Sequence, residues 1–393
     1  MSKELLKQNI EKAQFEIDRK KDMIKSGKMR QHYHFMPQTG WLNDPNGLIY
    51  FRGKYHFFFQ HNPYSGFWDS MHWGHAVSDD MLHWEYLPLA LVPSEKYDNH
   101  QKGGCFSGSA IEHDGKLFLM YTGVTNEGNG YEQVQCIAYS EDGIHFEYKN
   151  SYQEPTIGNM WECPDVFKIN NQFFMIFSPE NTDLPPKPNS NARYMPIDFE
   201  EDTLTIKEHG DWPYLDHGLD FYAPQTFLSK DNERILLGWL RMRKPVQGEE
   251  WVGMFIMPRV LKEKEGKIIQ ELYPEIKNSF NQEIQDISFD QPFQLKTTLN
   301  KDSSLNLGGF KIDIQDDCLH LNREEVSIQE NKVCNDVISP KLQGHYDIEL
   351  YYDHHVFEIY INGGEYVMSQ VVYDLKDQIV IQNTEYKVYV RSL

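Results

Sequence analysis

A unit of about 60 residues recurs four times in this 393-residue chain, and that recurrence constrains the fold more than any other feature. In each copy a short motif containing Pro, Gly or an acidic residue is followed, nine or ten residues later, by a turn and an apolar run. The copies are Asp44 then Gly53-Lys54-Tyr55-His56-Phe57-Phe58, Phe106 then Gly115-Lys116-Leu117-Phe118-Leu119-Met120, Glu162 then Asn171-Gln172-Phe173-Phe174-Met175-Ile176, and Tyr222 then Asn232-Glu233-Arg234-Ile235-Leu236-Leu237. Their starts lie 62, 56 and 60 residues apart. A later strand recurs too: Gly74 to Asp79 ending in His83-Trp84 matches Cys136 to Glu141 ending in His145-Phe146. Small sheets that cannot each bury both faces alone fit a β-propeller, whereas a sandwich has no reason to repeat its turns.

The flanks read differently. Leu6, Ile10, Ala13, Ile17 and Ile24 fall at helical spacing within a Lys/Glu-rich stretch, which predicts one amphipathic helix. Beyond Gly266-Lys267-Ile268-Ile269 comes a polar connection, Glu275 to Gln285. It is followed by alternating patterns at Phe310 to Ile314, Tyr346 to Tyr352, Val356 to Ile361 and Val367 to Val372, with a hairpin signal at Asn362-Gly363-Gly364. The expected chain is all-β: an N-terminal helix over 1–30, a four-bladed propeller over 31–274 and a C-terminal β-sandwich over 286–393. The sandwich carries no catalytic constellation.

Net charge narrows the partners. At −21 the surface repels phosphate backbones and anionic lipid, so nucleic-acid and membrane binding are not expected. Aromatics make up 14% of the chain, which suits strands and surfaces that stack on sugars. Cys105, Cys136, Cys163, Cys318 and Cys334 are odd in number and widely spaced, so reduced thiols are expected rather than disulfides or a zinc site. His72 and His75 sit in a strand context where they would not share a ligand face, and no metal or cofactor is expected. Met1 to Lys28 has no apolar core of a leader, and no run of 18 apolar residues occurs, so the expected location is the cytoplasm.

Two carboxylates stand apart by position. Asp44 in Trp41-Leu42-Asn43-Asp44-Pro45-Asn46-Gly47 and Glu162 in Met160-Trp161-Glu162-Cys163-Pro164-Asp165 each start a repeat, and first strands of propeller blades converge on one funnel. Trp41, Trp68, Trp73, Trp161 and Trp239 lie near the same starts and offer flat faces to a sugar ring. Two carboxylates among aromatics suit glycoside hydrolysis: one ionised, as nucleophile or to activate water, and one protonated to help the leaving oxygen depart. Asp44 beside the amide of Asn43 is expected to stay charged, and Glu162 facing another negative group to hold its proton to higher pH. The same residues also suit a tight turn at Asp44 to Gly47 and a strand-end charge at Glu162.

The chain resembles glycoside hydrolase family 32, the invertases, β-fructofuranosidases and sucrose-6-phosphate hydrolases, over nearly its whole length. The resemblance rests on Trp41 to Gly47, Phe58-Phe59-Gln60-His61-Asn62-Pro63, His72-Trp73-Gly74-His75, Phe106-Ser107-Gly108-Ser109-Ala110, Trp161-Glu162-Cys163-Pro164-Asp165 and Asp220-Phe221-Tyr222-Ala223-Pro224-Gln225. It implies a propeller joined to a sandwich, retaining displacement at the fructosyl C2, Asp44 as nucleophile and Glu162 as general acid/base. It further implies a fructose pocket shaped by Asn43, Gln60, Trp68, Phe106, Ser107, Tyr222 and Trp239. The partner so implied is a small sugar: sucrose, its 6-phosphate or a short fructo-oligosaccharide.

One departure is large. The family carries an Arg-Asp-Pro signature between the Phe-Ser-Gly and Glu-Cys motifs, whose aspartate binds fructose hydroxyls, and this chain has none. Only Glu147 to Met160 separate Phe146 from Trp161, so the absent element has the extent of a whole blade, and the family's five units become four. Losing a charged partner for two hydroxyls removes roughly 1.5–3 kcal/mol per hydrogen bond, or about 10² to 10⁴ in rate if both act in the transition state. Asp79, Glu127 and Asp165 are candidate substitutes, and Arg241 and Arg243 are candidate cations for a phosphate. The second reading is therefore a fructoside-binding or regulatory relative that kept the pocket without turnover. A blade interface left open by the shortened ring would be covered by a second copy, with the N-terminal helix as contact, which admits a homo-oligomer.

Overall fold

The structure is a computed structural model that describes residues 3–27, 30–125, 132–137, 160–180, 191–327 and 334–391, apart from positions 95, 101, 201–204, 209, 243, 247, 248 and 345. Among these residues the repeats form four separate small sheets. Blade 1 runs Gly40–Phe51, Lys54–Asn62, His72–Ser78 and Glu85–Leu91; blade 2 runs Gly104–His113, Lys116–Thr125 and Glu132–Ile137. Blade 3 runs Met160–Ile169, Gln172–Glu180, Arg193–Glu200 and Thr205–Glu208; blade 4 runs Phe221–Leu228, Arg234–Leu240, Arg259–Lys264 and Lys267–Leu272. The recurrence of Cys136 to Phe146 is described only as far as Ile137; the rest of it lies outside the described residues.

Turn chemistry explains the hairpins. Arg52-Gly53, Asp114-Gly115 and Glu265-Gly266 all take positive φ, the conformation that a two-residue hairpin loop needs to match strand twist. The chain between the second and third strands of blade 4 returns to blade 1: Trp251–Val252 pairs in parallel with Gly40 and Trp41. That pairing clasps the last blade to the first and puts a hydrogen-bonded neighbour on each side of the Gly40–Phe51 strand.

Side-chain bonds join the blades at the axis. Gln225 of blade 4 accepts from the Leu48 amide of blade 1 and donates to the Gly108 carbonyl of blade 2. Asp165 of blade 3 accepts from both the amide and the hydroxyl of Thr226 in blade 4. The N-terminal helix, Lys3–Lys25, lays Ala13 and Ile17 on Leu89 and Val92 at the outer edge of blade 1, so much of its apolar stripe is taken up within the chain. Among the described residues no helix is long and apolar enough to cross a membrane.

The C-terminal portion is two facing antiparallel sheets of six and five strands, packed through one apolar core in which Phe310 stacks on Phe357. The stretch read as a polar connection is structured: Pro274–Ser279 is a short helix, and Phe280–Ile284 pairs with Tyr386–Arg391 as an edge strand of the six-stranded sheet. Its polar side chains point to solvent on an edge, which is why it lacks an alternating pattern.

A charged core joins propeller and sandwich. Arg259 of blade 4, fully buried, bonds Glu358 and Ser369 of the sandwich and Asp216 and Gln270 of the propeller. His34 sits between Asp353 and Glu358, at 3.0 and 2.9 Å. Asp353 also receives the backbone amides of His32, Tyr33 and His34. Burial alone would lower the His34 pKa, but its two carboxylate bonds outweigh that and push it up to about 9. Burial likewise opposes Glu358, yet Arg259 and His34 bring it down to about 2.

Candidate active site

Every innermost strand carries a register shift at the same height. The shifts fall between Leu42 and Pro45, Phe106 and Gly108, Glu162 and Asp165, and Tyr222 and Gln225. A β-bulge of this kind inserts a residue into one strand and re-aims its side chains. Asp44, Ser107, Cys163 and Ala223 occupy the four bulges, and Cys163 and Ala223 take positive φ there. Gly108 follows from the same geometry, because a Cβ at that position would collide with the Met120 carbonyl of the neighbouring strand. The repeated bulge turns four separate strands toward one spot.

Asp44 is the hub of that spot. Its Oδ2 accepts from the Ser107 hydroxyl at 2.5 Å and faces the Cys163 thiol at 3.6 Å, which brings blades 1, 2 and 3 together. Its Oδ1 accepts from the Asn43 amide at 3.0 Å, and the Trp41 indole, donating to Asn43 Oδ1 at 2.8 Å, holds that amide with its NH₂ toward the carboxylate. Burial pushes the Asp44 pKa up, against the bonds from Ser107, Asn43 and Cys163 that pull it down. The donors beside Asp44 favour its charged form, as expected, while desolvation outweighs them in the direction of the shift.

Glu162 lies beside Asp44 in the same funnel. The Tyr222 hydroxyl is 2.6 Å from its Oε2. Burial raises the Glu162 pKa, the bond to Tyr222 lowers it, and the charges of Asp44 and Glu180 raise it again, as expected of a carboxyl facing other negative groups. Cys163, wedged between the two acids, has its thiol pushed well up by burial and by both charges.

The remaining expected residues divide. Trp239 meets Trp41 and Tyr222 edge-on, at centroid distances of 5.7 and 6.3 Å, and its indole N–H is buried without a hydrogen-bond partner among the described residues. Trp68, 44% exposed, leans edge-on toward Phe106 at 6.0 Å. Gln60 is buried and donates to the Cys105 carbonyl, bracing blade 1 on blade 2. Two tryptophans named as sugar platforms are used up in packing: Trp73 is fully buried with its N–H on the Phe106 carbonyl, and Trp161 stacks on Phe177 at 3.8 Å.

Neither described candidate substitute for the missing aspartate reaches the funnel chemistry. Asp79 is exposed at the far end of its strand and pairs with Lys54, and Asp165 is taken by Thr226; Glu127 lies outside the described residues. Arg241 lies with its guanidinium 4.8 Å from the Tyr222 ring centre, and Arg243 is outside the described residues. An acid that the sequence did not single out is present instead. Glu180 Oε1 is 2.9 Å from the Tyr222 hydroxyl.

Comparison with known proteins bears on the family and the fold. The profile of the Glycosyl hydrolases family 32 N-terminal domain matches residues 34–157 and 140–272, two overlapping segments that between them take in all four blades. A sucrose-6-phosphate hydrolase of Escherichia coli is 36% identical over 324 aligned positions, covering 65% of this chain and 67% of that protein. A raffinose invertase of Escherichia coli is 34% identical, covering 63% of this chain and 65% of that protein. The chain thus matches about two thirds of the length of these relatives. Because 324 aligned positions take in only 65% of 393 residues, the first relative carries an extra length on the order of one repeat unit. The structure of sucrose-6-phosphate hydrolase from Lactobacillus gasseri shares the fold, with a TM-score of 0.84 over 96% of each chain at 23% identity. With the profile matched over more than half its length and the bulged motifs gathered at one funnel, this chain belongs to glycoside hydrolase family 32.

Proposed function

We propose that this chain hydrolyses terminal β-D-fructofuranosides with retention, with Asp44 as nucleophile and Glu162 as general acid/base. The observation that carries the reading is the meeting of these two acids, from strands of blades 1 and 3, around Ser107, Cys163 and Tyr222. Asp44 attacks the fructosyl C2 while Glu162 gives its proton to the departing oxygen; water then attacks C2, Glu162 takes the proton of that water, and Asp44 is released. Ser107 and Asn43 favour the charged form of Asp44, and burial together with the charges of Asp44 and Glu180 favours the protonated form of Glu162. Trp41, Trp239, Trp68 and Phe106 form the apolar walls, and the free indole N–H of Trp239 supplies a donor for a sugar hydroxyl.

Sucrose, sucrose 6-phosphate and short fructo-oligosaccharides are the substrates to assay. A binding-only role is the weaker reading, because a binder needs no second acid beside the first. Cytoplasmic residence is supported by Cys163 and Cys318, which are free thiols among the described residues. The outer face of the N-terminal helix, with Phe15 and Met23 exposed, is the surface we assign to self-association. The test is fructose release with the product anomer followed by NMR. Release of the retained anomer by the wild type, abolished in Asp44→Asn and Glu162→Gln, is expected; release that survives both substitutions would remove the site assignment.

A further inference from the structure

We propose that Glu180 is a positioning residue for Glu162, the two carboxyls sharing one proton through the Tyr222 hydroxyl. Tyr222 Oη lies 2.6 Å from Glu162 Oε2 and 2.9 Å from Glu180 Oε1, and a phenol has a single hydrogen to donate. It cannot donate to two carboxylates at once, and with both ionised one of them would face only lone pairs. A second proton, on one of the carboxyls, satisfies both contacts: that carboxyl donates to the phenol oxygen, while the phenol donates to the other.

The two arrangements interconvert without charge build-up on the phenol. When Glu162 carries the proton, Glu162 O–H donates to Tyr222 Oη and Tyr222 O–H donates to Glu180. In the reverse arrangement Glu180 O–H donates to Tyr222 Oη and Tyr222 O–H donates to Glu162. Two protons move together, no bond to carbon changes, and no co-reactant is needed.

The surroundings favour the first arrangement. Glu162 faces Asp44 from blade 1, the Cys163 thiol on its own strand, Tyr222 from blade 4 and Glu180 from the second strand of blade 3, and the Arg241 guanidinium lies over the Tyr222 ring. Burial and the Asp44 and Glu180 charges raise Glu162. Its placement follows from the bulge. The shift in register sets Glu162 opposite Ser178 and Met160 opposite Glu180, so Glu180 is the diagonal neighbour of Glu162 on one face of the hairpin. In this ring, which lacks the Arg-Asp-Pro aspartate, Glu180 is the additional acid that the described residues bring to the funnel.

The inference rests on Glu162 being the acid/base, so the experiment reads ionisation and turnover separately. Carboxyl carbons of glutamate are labelled with ¹³C, Glu162 is assigned by its loss in Glu162→Gln, and its titration is followed in the wild type, Glu180→Gln and Tyr222→Phe. Removing the Glu180 charge is expected to lower the Glu162 midpoint by about 1 pH unit and to move the alkaline limb of kcat/KM down with it. In a Tyr222→Phe background the same Glu180→Gln change should shift Glu162 by less, because the bridge is gone. A Glu162 midpoint unchanged in a folded Glu180→Gln protein overturns the proposal, as does a full shift that persists without Tyr222. If Glu180→Gln does not fold, Glu180→Asp serves the same measurement, its shorter carboxyl being expected to weaken the bridge and move the midpoint. A shifted midpoint in a protein that releases no fructose sinks the hydrolase reading and leaves the shared proton standing; fructose release with an unshifted midpoint does the opposite.

Discussion

Two clusters of acids lie in this molecule, one fully buried and one half-buried, and they are organised in opposite ways. Between propeller and sandwich, Asp216, Asp353 and Glu358 surround Arg259 and His34, with direct ion-pair contacts of 2.6–3.0 Å. In the funnel, Asp44, Glu162 and Glu180 crowd together with neutral donors: Ser107, Asn43, Cys163 and Tyr222. In the first set Asp353 and Glu358 are held at low pKa by their cationic partners, and in the second Asp44 and Glu162 are raised by burial. Carboxylates cost free energy to desolvate in both places, fully at the joint and in part in the funnel. What differs is the supply of positive charge, which makes one cluster a joint and leaves the other ready to exchange protons.

The contrast is tested most severely at Asp44. Asp44→Asn should cut fructose release by about 10³- to 10⁵-fold, yet raise the melting temperature at pH 7, since a buried carboxylate with an elevated pKa weakens the fold once it must ionise. A loss of both activity and stability would show that Asp44 belongs with the structural acids. At the joint the expected order is reversed. Glu358→Gln leaves Arg259 and His34 short of an anion and should cost about 3–5 kcal/mol of unfolding free energy, read by denaturant titration, with any loss of activity following unfolding.

The joint also has a pH signature. The His34 pKa is raised on folding to about 9, so its contribution is full below its ordinary value and is lost as pH rises through about 9. Stability should therefore fall across that window by about 1.4 kcal/mol per unit of displacement, and His34→Gln should flatten the slope. The smallest effect is expected at Ser107. Removing its hydroxyl takes away a bond that favours the Asp44 carboxylate, so Ser107→Ala should move the acidic limb of the kcat/KM profile to higher pH and reduce activity about tenfold. An unmoved acidic limb would mean that the Ser107 bond plays no part in the ionisation of Asp44.

How much of this could be read from the residues alone depended on whether the signal was periodic. The starts at Asp44, Phe106, Glu162 and Tyr222 do open the innermost strands of four sheets, because turn residues and apolar runs recur wherever a blade does. The bulges leave no comparable trace. Counting back from the Asn170-Asn171 turn without the bulge would set Glu162 opposite Pro179 and put Glu180 on the other face; the inserted residue reverses that, which is why Glu180 went unnoticed. Nothing in the sequence selects among Asp79, Glu127 and Asp165 as substitutes; in the structure Asp79 is exposed and pairs with Lys54, and a bond to Thr226 engages Asp165. The two-residue clasp Trp251–Val252 and the polar edge strand Phe280–Ile284 are too short or too hydrophilic for any pattern to reveal.

The recurrence of one kink at the same height in every innermost strand has a consequence for how such a ring tolerates loss. Each module presents its own side chain to the axis by its own local geometry, without borrowing the shape of its neighbour. A module can then be subtracted whole, and the survivors still aim at a common point. What disappears is one hand among several, not the grip itself.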